Sequence, residues 1–409
     1  MSSFTIIGAG HSGLLLGIGL RQRGHDVTIV TDRKPDEVRT GHVMSTNGIF
    51  GAACAVEAEL GVDFWADVCP EIQGFQVTVA GPDGTPALQW RAPINNRGQA
   101  VDQRIKFPRF MEHFEEQGGR LIFHRADAED LEAYADKSDL VVVATGKSAI
   151  SHLFARNPER SPYDQAQRQI VMMCARGVES IGGRHLISFN AVPGQGEMFI
   201  IPGYNDGPFH HLYFGAIADT PLDEVWRGVK TPDEYLSTAR KVLETWTPWE
   251  LSRCRAMSMT DERGYLRGSV TPTVRDPVAH LRSGACVLGL GDALVLNDPL
   301  LGQGANNAVK SAAIYLRCID ACEDGNFDEA WMRATFDQAW EYSQWPTRWT
   351  NAMLEVPMPG PLQQLVAIAG ENPEVAETFV NCFDRPELIV PMLFDPVKLA
   401  SLGVDVSAS

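Results

Sequence analysis

The sequence predicts an α/β protein built from a parallel-sheet domain, an interleaved β-sheet domain and a C-terminal helical cap. Three observations predict it. A short β-rich run, a glycine-rich turn and an apolar helix open the chain. A second strand, glycine-rich turn and helix return near residue 290. Between them lie further β-rich runs, and after them a helical pattern broken by prolines.

The first element is Phe4-Thr5-Ile6-Ile7, which runs into Gly8-Ala9-Gly10-His11-Ser12-Gly13. Leu14, Leu15, Leu16, Ile18 and Leu20 then form an apolar helical surface that Gly24 ends. A second strand follows at Asp26 to Thr31, so the G-x-G-x-x-G lies inside the strand–helix–strand unit of a Rossmann-like dinucleotide-binding fold. Gly8 serves the tight turn, Gly10 lets the backbone approach a pyrophosphate, and Gly13 lets helix and strand touch. The helix start offers N–H donors to phosphate. A ribose-binding residue is expected at the end of the second strand, where the sequence reads Thr31-Asp32-Arg33-Lys34. Asp32, displaced by one, and Thr31 both qualify, while Arg33 and Lys34 suit either phosphate contacts or solvated surface charge.

Gln99-Ala100-Val101-Asp102-Gln103-Arg104 leads into a helix, and Arg104 suits either cofactor phosphates and ring edge or the surface. Asp139 to Gly146 reads as a buried strand whose Gly146 can approach a cofactor closely. From about 165 to 275, β-rich runs at Ile170 to Cys174, His185 to Phe189, Glu197 to Ile201 and His211 to Phe214 alternate with turns and suggest a substrate lobe.

Ala285 to Leu290 then forms an apolar strand ended by Gly291-Asp292. Asn297-Asp298-Pro299-Leu300-Leu301-Gly302-Gln303-Gly304-Ala305-Asn306-Asn307 opens a helix running to about Cys322. A carboxylate at Asp292 can meet a ribityl chain, and the N–H groups of the Gly302 to Asn306 turn suit the electron-rich edge of a flavin. A nicotinamide dehydrogenase has no need to return to the nucleotide so late, so the paired motifs point to FAD. The domain bounds expected are 1–75, 95–165 and 275–325 for FAD binding, 76–94 and 166–274 for substrate, and 326–409 for the helical region. Breaks are expected at Pro346, at Pro357 to Pro361 and at Pro373, and disorder in the last few residues.

Composition narrows the partners. The 409 residues are 44% hydrophobic, enough for two joined cores, and carry 35 Lys plus Arg against 52 Asp plus Glu, a net charge of -17. With no basic run, nucleic acid and anionic membranes are excluded as partners. No stretch approaches about 18 uninterrupted apolar residues and no signal sequence opens the chain, so a cytosolic, membrane-free protein is expected. The eight cysteines form no C-x-x-C pair and have no histidines at zinc-ligand spacing, so they read as reduced structural thiols and no metal is expected. Cys318 and Cys322 fall one helical turn apart and read as core.

On these residues the chain resembles the flavin-dependent styrene and indole monooxygenases, the oxygenase halves of two-component systems. The GAGHSGL start, Thr31 to Glu37, Ala100-Val101-Asp102, Thr145-Gly146-Lys147, Gly289 to Asn306 and Arg348-Trp349-Thr350-Asn351 carry the likeness. The resemblance implies an aromatic-hydroxylase type of FAD domain, FAD reduced by a separate NADH-dependent flavin reductase, molecular oxygen as co-substrate, and a homodimer. The Asp-Gly motif that single-component hydroxylases associate with FAD and NAD(P)H is replaced here by Thr145-Gly146-Lys147. The Trp-x-Trp-x-Ile-Pro string of flavin halogenases is missing.

Because the cofactor performs the oxygen chemistry, no acid, base or nucleophile is expected. The protein must exclude water and hold an electron-rich double bond against the flavin. The resemblance places Pro299, Leu300 and Leu301 before the flavin ring, and the stretches Ser45-Thr46-Asn47-Gly48-Ile49, Ile72 to Phe75 and Gly98 around the substrate, with Ser45, Asn47, Ile49, Ile72, Phe75 and Gly98 as its pocket residues. Ile49, Ile72 and Phe75 also suit an ordinary core. Ser45 with Ile49 and Ile72 tilts the expectation toward indole, whose N–H would welcome an acceptor such as Ser45 or Asn47, with styrene epoxidation the alternative. A self-sufficient NAD(P)H-dependent phenol hydroxylase ranks lower, and a flavin carrier without activity lower still.

Overall fold

The computed structural model describes residues 1–146 and 149–404. Lys147 and the C-terminal tail expected to be disordered lie outside the described residues. A six-stranded sheet forms in the order Val278–His280, Cys286–Gly289, Leu140–Val143, Ser3–Ile7, Asp26–Thr31, Arg120–Phe123. Its pairings are parallel except at the Val278–His280 edge. Leu140–Val143 is buried throughout, as a strand covered on both faces must be. The helix His11–Gln22 packs against this sheet and the helix Gln303–Asp320, joining the two glycine motifs through one core.

The second sheet is larger and mostly antiparallel. It contains the expected middle strands as Gln169–Arg176, Leu186–Val192, Gly196–Tyr204 and Pro208–Ala216, extended by Ile72–Ala80 and Pro86–Ala100. Ile72–Ala80 pairs in parallel with Leu186–Val192, stitching two distant parts of the chain together. One face of this sheet packs on a helix at Pro232–Trp246, which the reading of the middle as strands alone missed. That helix is amphipathic and carries a capping box from Thr231 to Glu234, a local start signal visible in the sequence.

The cap is helical from Glu329 to Ser401. Pro346 does not break it: Glu329–Leu354 runs through that proline as a 26-residue helix. A proline removes only one donor, and burial of Trp349, Met353 and Leu354 beyond it holds the next turns in place. Chain breaks do fall near Pro357 to Pro361 and at Pro373, which starts the helix Pro373–Asn381. All eight cysteines are free; Cys318 is buried, whereas Cys322 sits just past the helix end and is half-buried. His280 and Cys286, cross-strand partners, meet Glu329 of the cap in a grouping that linear spacing did not reveal.

Candidate functional site

The two glycine motifs meet at the carboxyl ends of the parallel strands, where open α/β sheets bind ligands. Gly8 adopts φ +117°, and a Cβ at Gly13 would strike the Gly8 carbonyl, so both glycines are required by the strand–helix approach. Gly10 caps the helix His11–Gln22 and faces open space. A Cβ at Gly146 would abut Asp292, and one at Gly291 would abut Ser12, so the early motif, the central strand end and the late Gly-Asp are contiguous. Thr31 is buried at its strand end, while Asp32 and Arg33 are exposed and 3.8 Å apart.

The late turn begins with Asp298, whose Oδ1 accepts from the Leu300 N–H at 2.9 Å and so folds the short turn Pro299–Leu301. Gly302 follows in the left-handed region at φ 62° and starts the helix Gln303–Asp320. Gly302 and Gly304 both face open space, and Ala305 is half-buried beside them. Asn306 points its amide away from that space: Oδ1 accepts from Phe50 N–H at 2.9 Å, and Nδ2 donates to the carbonyls of Gly48 and Gly302. It therefore pins the 48–50 segment to the late turn. Gln303 donates to the carbonyls of Leu301 and Phe383.

These residues fit a flavin dinucleotide. Both side-chain polar atoms of Asn297, Oδ2 of Asp298 and Oε1 of Gln303 are buried without a hydrogen-bond partner among the described residues. Such atoms are costly unless a bound group supplies partners. Together with the open helix starts at Gly10 and at Gly302 to Gly304, they make a cradle for a ligand with phosphates and a polar ring edge. Arg104, a candidate for cofactor phosphates or ring edge, is buried rather than at the surface and is ion-paired within the protein. Its guanidinium is gripped by Asp102 at 2.7 Å and Asp261 at 2.9 Å, and borders a polar cavity of about 500 Å³ with Arg39, Arg263 and Asn205.

A second, apolar cavity lies beside the late turn. Thr46, Gly48, Phe50, Phe75, Ile187, Phe199, Ile201, Tyr213, Phe383 and the segment Pro299 to Gly302 line it, and tyrosine is its only ionisable lining group. Its volume is about 30 Å³, well short of the roughly 150 Å³ that holds a benzene ring, so a substrate must spread its walls. Phe383 stacks on Phe75 with ring centroids 4.3 Å apart and meets Phe50 edge-on at 5.8 Å. The turn carrying Phe383 is fastened by Asp384, which accepts from Ala52 N–H and from Asn96 at 2.6 Å.

Of the expected pocket residues, Phe75, Pro299, Leu300 and Leu301 line this cavity. Ser45, Asn47, Ile49, Ile72 and Gly98 stand outside its lining. Ile49 packs in the core beneath the first glycine motif. Ile72 and Gly98 are register partners behind Phe50, where a Cβ at Gly98 would press on both. Asn47 lies at φ 46° and donates to Val101 O at 3.1 Å, so it shapes the turn, and the Ser45 hydroxyl accepts from Asn47 N–H. Of the residues that sequence reasoning missed, Ile187, Phe199, Ile201 and Tyr213 come from the second sheet, Phe383 from the cap, and Phe50 from the start of the helix Gly51–Glu59. Strands 196–204 and 208–216 are buried on both faces, so nothing local says which of their residues meet the cavity.

Comparison with known proteins shows the family. Residues 146–253 match the family described as "Styrene monooxygenase A putative substrate binding domain". Styrene monooxygenase StyA of Pseudomonas fluorescens is 32% identical over 93% of this chain and 92% of its own length. The StyA of a Pseudomonas species is 30% identical over the same shares. Among solved structures, the flavin-dependent brominase Bmp2 superposes with TM-score 0.68 at 16% identity, covering 97% of this chain and 98% of its own. A flavoprotein/dehydrogenase from Cytophaga hutchinsonii gives 0.69 at 12% identity over 98% of both chains, a likeness of fold alone. The chain belongs to the styrene monooxygenase family and is the oxygenase component of a two-component flavin-dependent monooxygenase.

Proposed function

We propose that this monooxygenase uses FAD reduced by a separate NADH-dependent flavin reductase, together with O2, to epoxidise the double bond of a small aromatic alkene such as styrene. The observation that carries the reading is the apolar, ring-lined cavity against the Pro299–Leu301 turn, which offers no charged side chain to the reacting atoms. The similarity to styrene monooxygenases favours styrene over indole as the principal substrate. We divide the chain at the bounds given above, 1–75, 95–165 and 275–325 for FAD, 76–94 and 166–274 for substrate, with 326–409 as the cap. Among the described residues no helix is long and apolar enough to cross a membrane, and we place the protein in the cytosol as a homodimer.

In this reading Gly8, Gly10 and Gly13 shape the phosphate cradle, Thr31 or Asp32 takes the ribose, Arg33 lies by the phosphates, and Gly146 and Asp292 border the ribityl chain. The backbone of Gly302 to Ala305 faces the flavin's polar edge. Bound reduced FAD supplies oxygen activation. Pro299 to Leu301 position the alkene, while Phe75, Phe383, Phe50 and Phe199 exclude water and set the plane of the aromatic ring.

The test mixes the full chain with anaerobically reduced FAD, then adds oxygen with styrene or indole in parallel vessels and identifies products by mass. Styrene oxide formed faster than oxidised indole supports the reading. Preferential indigo formation moves it to indole, and NADH oxidation by the chain alone would overturn the two-component assignment.

A further inference from the structure

The proposed epoxidation uses neither Tyr213 nor the charged groups behind it. Tyr213 lines the apolar cavity, is 3% exposed, and its hydroxyl has no hydrogen-bond partner among the described residues. Glu197, paired with Gly215 across the strands Gly196–Tyr204 and Pro208–Ala216, lies on the same sheet face as Tyr213. Its Oε1 and the Tyr213 hydroxyl both crowd the space that a side chain at 215 would fill. Arg168 holds Glu197 through Nε, 3.1 Å from both carboxylate oxygens, and donates to Leu354 O at 3.2 Å. Asp298, fully buried beneath the flavin-facing turn, adds a second carboxylate whose charge acts on Glu197 and Tyr213 alike.

This pocket end therefore carries two carboxyl groups against one guanidinium. Burial pushes Glu197 up to about 7, partly offset by Arg168, and Asp298 up to about 6, so negative charge persists there near neutral pH. The Tyr213 hydroxyl makes no hydrogen bond to either carboxylate, so its oxygen has lone pairs to offer a donor in the cavity while the nearby negative charge favours that donor. A hydrogen-bond donor entering the cavity is welcomed, and an acceptor is repelled.

We propose that Tyr213 is the polar contact of the substrate site, accepting a hydrogen bond from an aromatic substrate that carries an N–H donor, and so sets preference for such rings over hydrocarbons of the same shape. The inference rests on the cavity being the substrate site. It transfers to Tyr213 the role that Ser45 and Asn47 cannot fill from their positions outside the lining.

Indole and indene make a matched pair, the same bicycle with N–H in one and CH2 in the other. The full chain and its Tyr213→Phe variant, loaded with FAD, are compared for kcat/KM and for equilibrium binding of each ring. The indole-to-indene ratio is expected to fall about five-fold in both readouts, the effect of one neutral hydrogen bond, with indene unchanged. Thermal stability is expected to hold, because the hydroxyl removed has no partner in the free protein. An unchanged ratio overturns the proposal, and so does a fall in Tm of several degrees, which would make the hydroxyl a structural bond. If the wild type oxidises neither ring yet loses its indole binding preference on Tyr213→Phe, the contact stands and the oxidation reading fails. If it binds neither, both fall.

Discussion

Two buried charge clusters flank the site, and they are built oppositely. Under the first glycine motif, Glu57 is bound by Lys106 at 2.6 Å, by His11 at 2.6 Å and by Gln99 at 3.3 Å. Burial alone would raise Glu57, but Lys106 and His11 outweigh it and hold the carboxyl below its usual range, while burial keeps His11 low. Beside the apolar cavity, Glu197 has one cation and burial still wins, leaving Asp298 Oδ2 and the Tyr213 hydroxyl without partners. The charge-balanced cluster holds elements together, here the helix His11–Gln22 against Gln103–Glu116, although His11 Nδ1 and Gln99 Oε1 keep no partner among the described residues. The carboxylate-rich one lies beside a cavity, where a ligand can supply the missing partners.

The contrast breaks most visibly at Lys106. Lys106→Met leaves Glu57 buried without its main cation and should destabilise the fold by about 3–5 kcal/mol, read from denaturant midpoints; a loss below about 1 kcal/mol would mean the cluster is not a structural pair. Phe383→Leu should cost roughly 1 kcal/mol while widening the cavity, so turnover of naphthalene-sized alkenes should rise relative to styrene, as a substrate panel would show. Glu197 supplies the pH test. Its carboxyl stays protonated in the native state over a range where the unfolded chain is ionised, so its contribution is complete below about pH 4.5 and fades as pH rises toward 7. The Tm of wild type should therefore fall relative to Glu197→Gln between about pH 4.5 and 7 and level off above, and a constant or rising difference over that range would contradict the burial argument. Smallest is Ser45→Asn, whose side chain lies outside the lining. The styrene-to-indole ratio should move less than about two-fold, whereas a larger change would return the 45–49 segment to the substrate contacts.

Much of the cofactor framework is legible in the sequence because its constraints are local. Gly8 and Gly13 answer to the next strand and helix, and Asp26–Thr31 appears at its expected bounds. The cavity is not local. Phe383 reaches Phe75 across more than three hundred residues, held by contacts of Asp384 to Ala52 and Asn96 that no spacing rule encodes. The segment Ser45 to Ile49, which the resemblance places around the substrate, does reach the cavity, through Thr46 and Gly48. The ion pair of Arg104 is not legible because Asp261 lies far along the chain, nor is the continuation through Pro346, because buried neighbours override one lost hydrogen bond.

In the proposed reaction the aromatic cavity against the late turn, rather than the polar cavity by Arg104, receives the substrate. Ile201 is half-buried on its wall, so Ile201→Trp can fill the space without crushing the core. Styrene epoxidation by this variant with reduced FAD and oxygen should fall at least tenfold while its affinity for FAD stays within about two-fold of wild type. Undiminished epoxidation would contradict the account and place the substrate elsewhere.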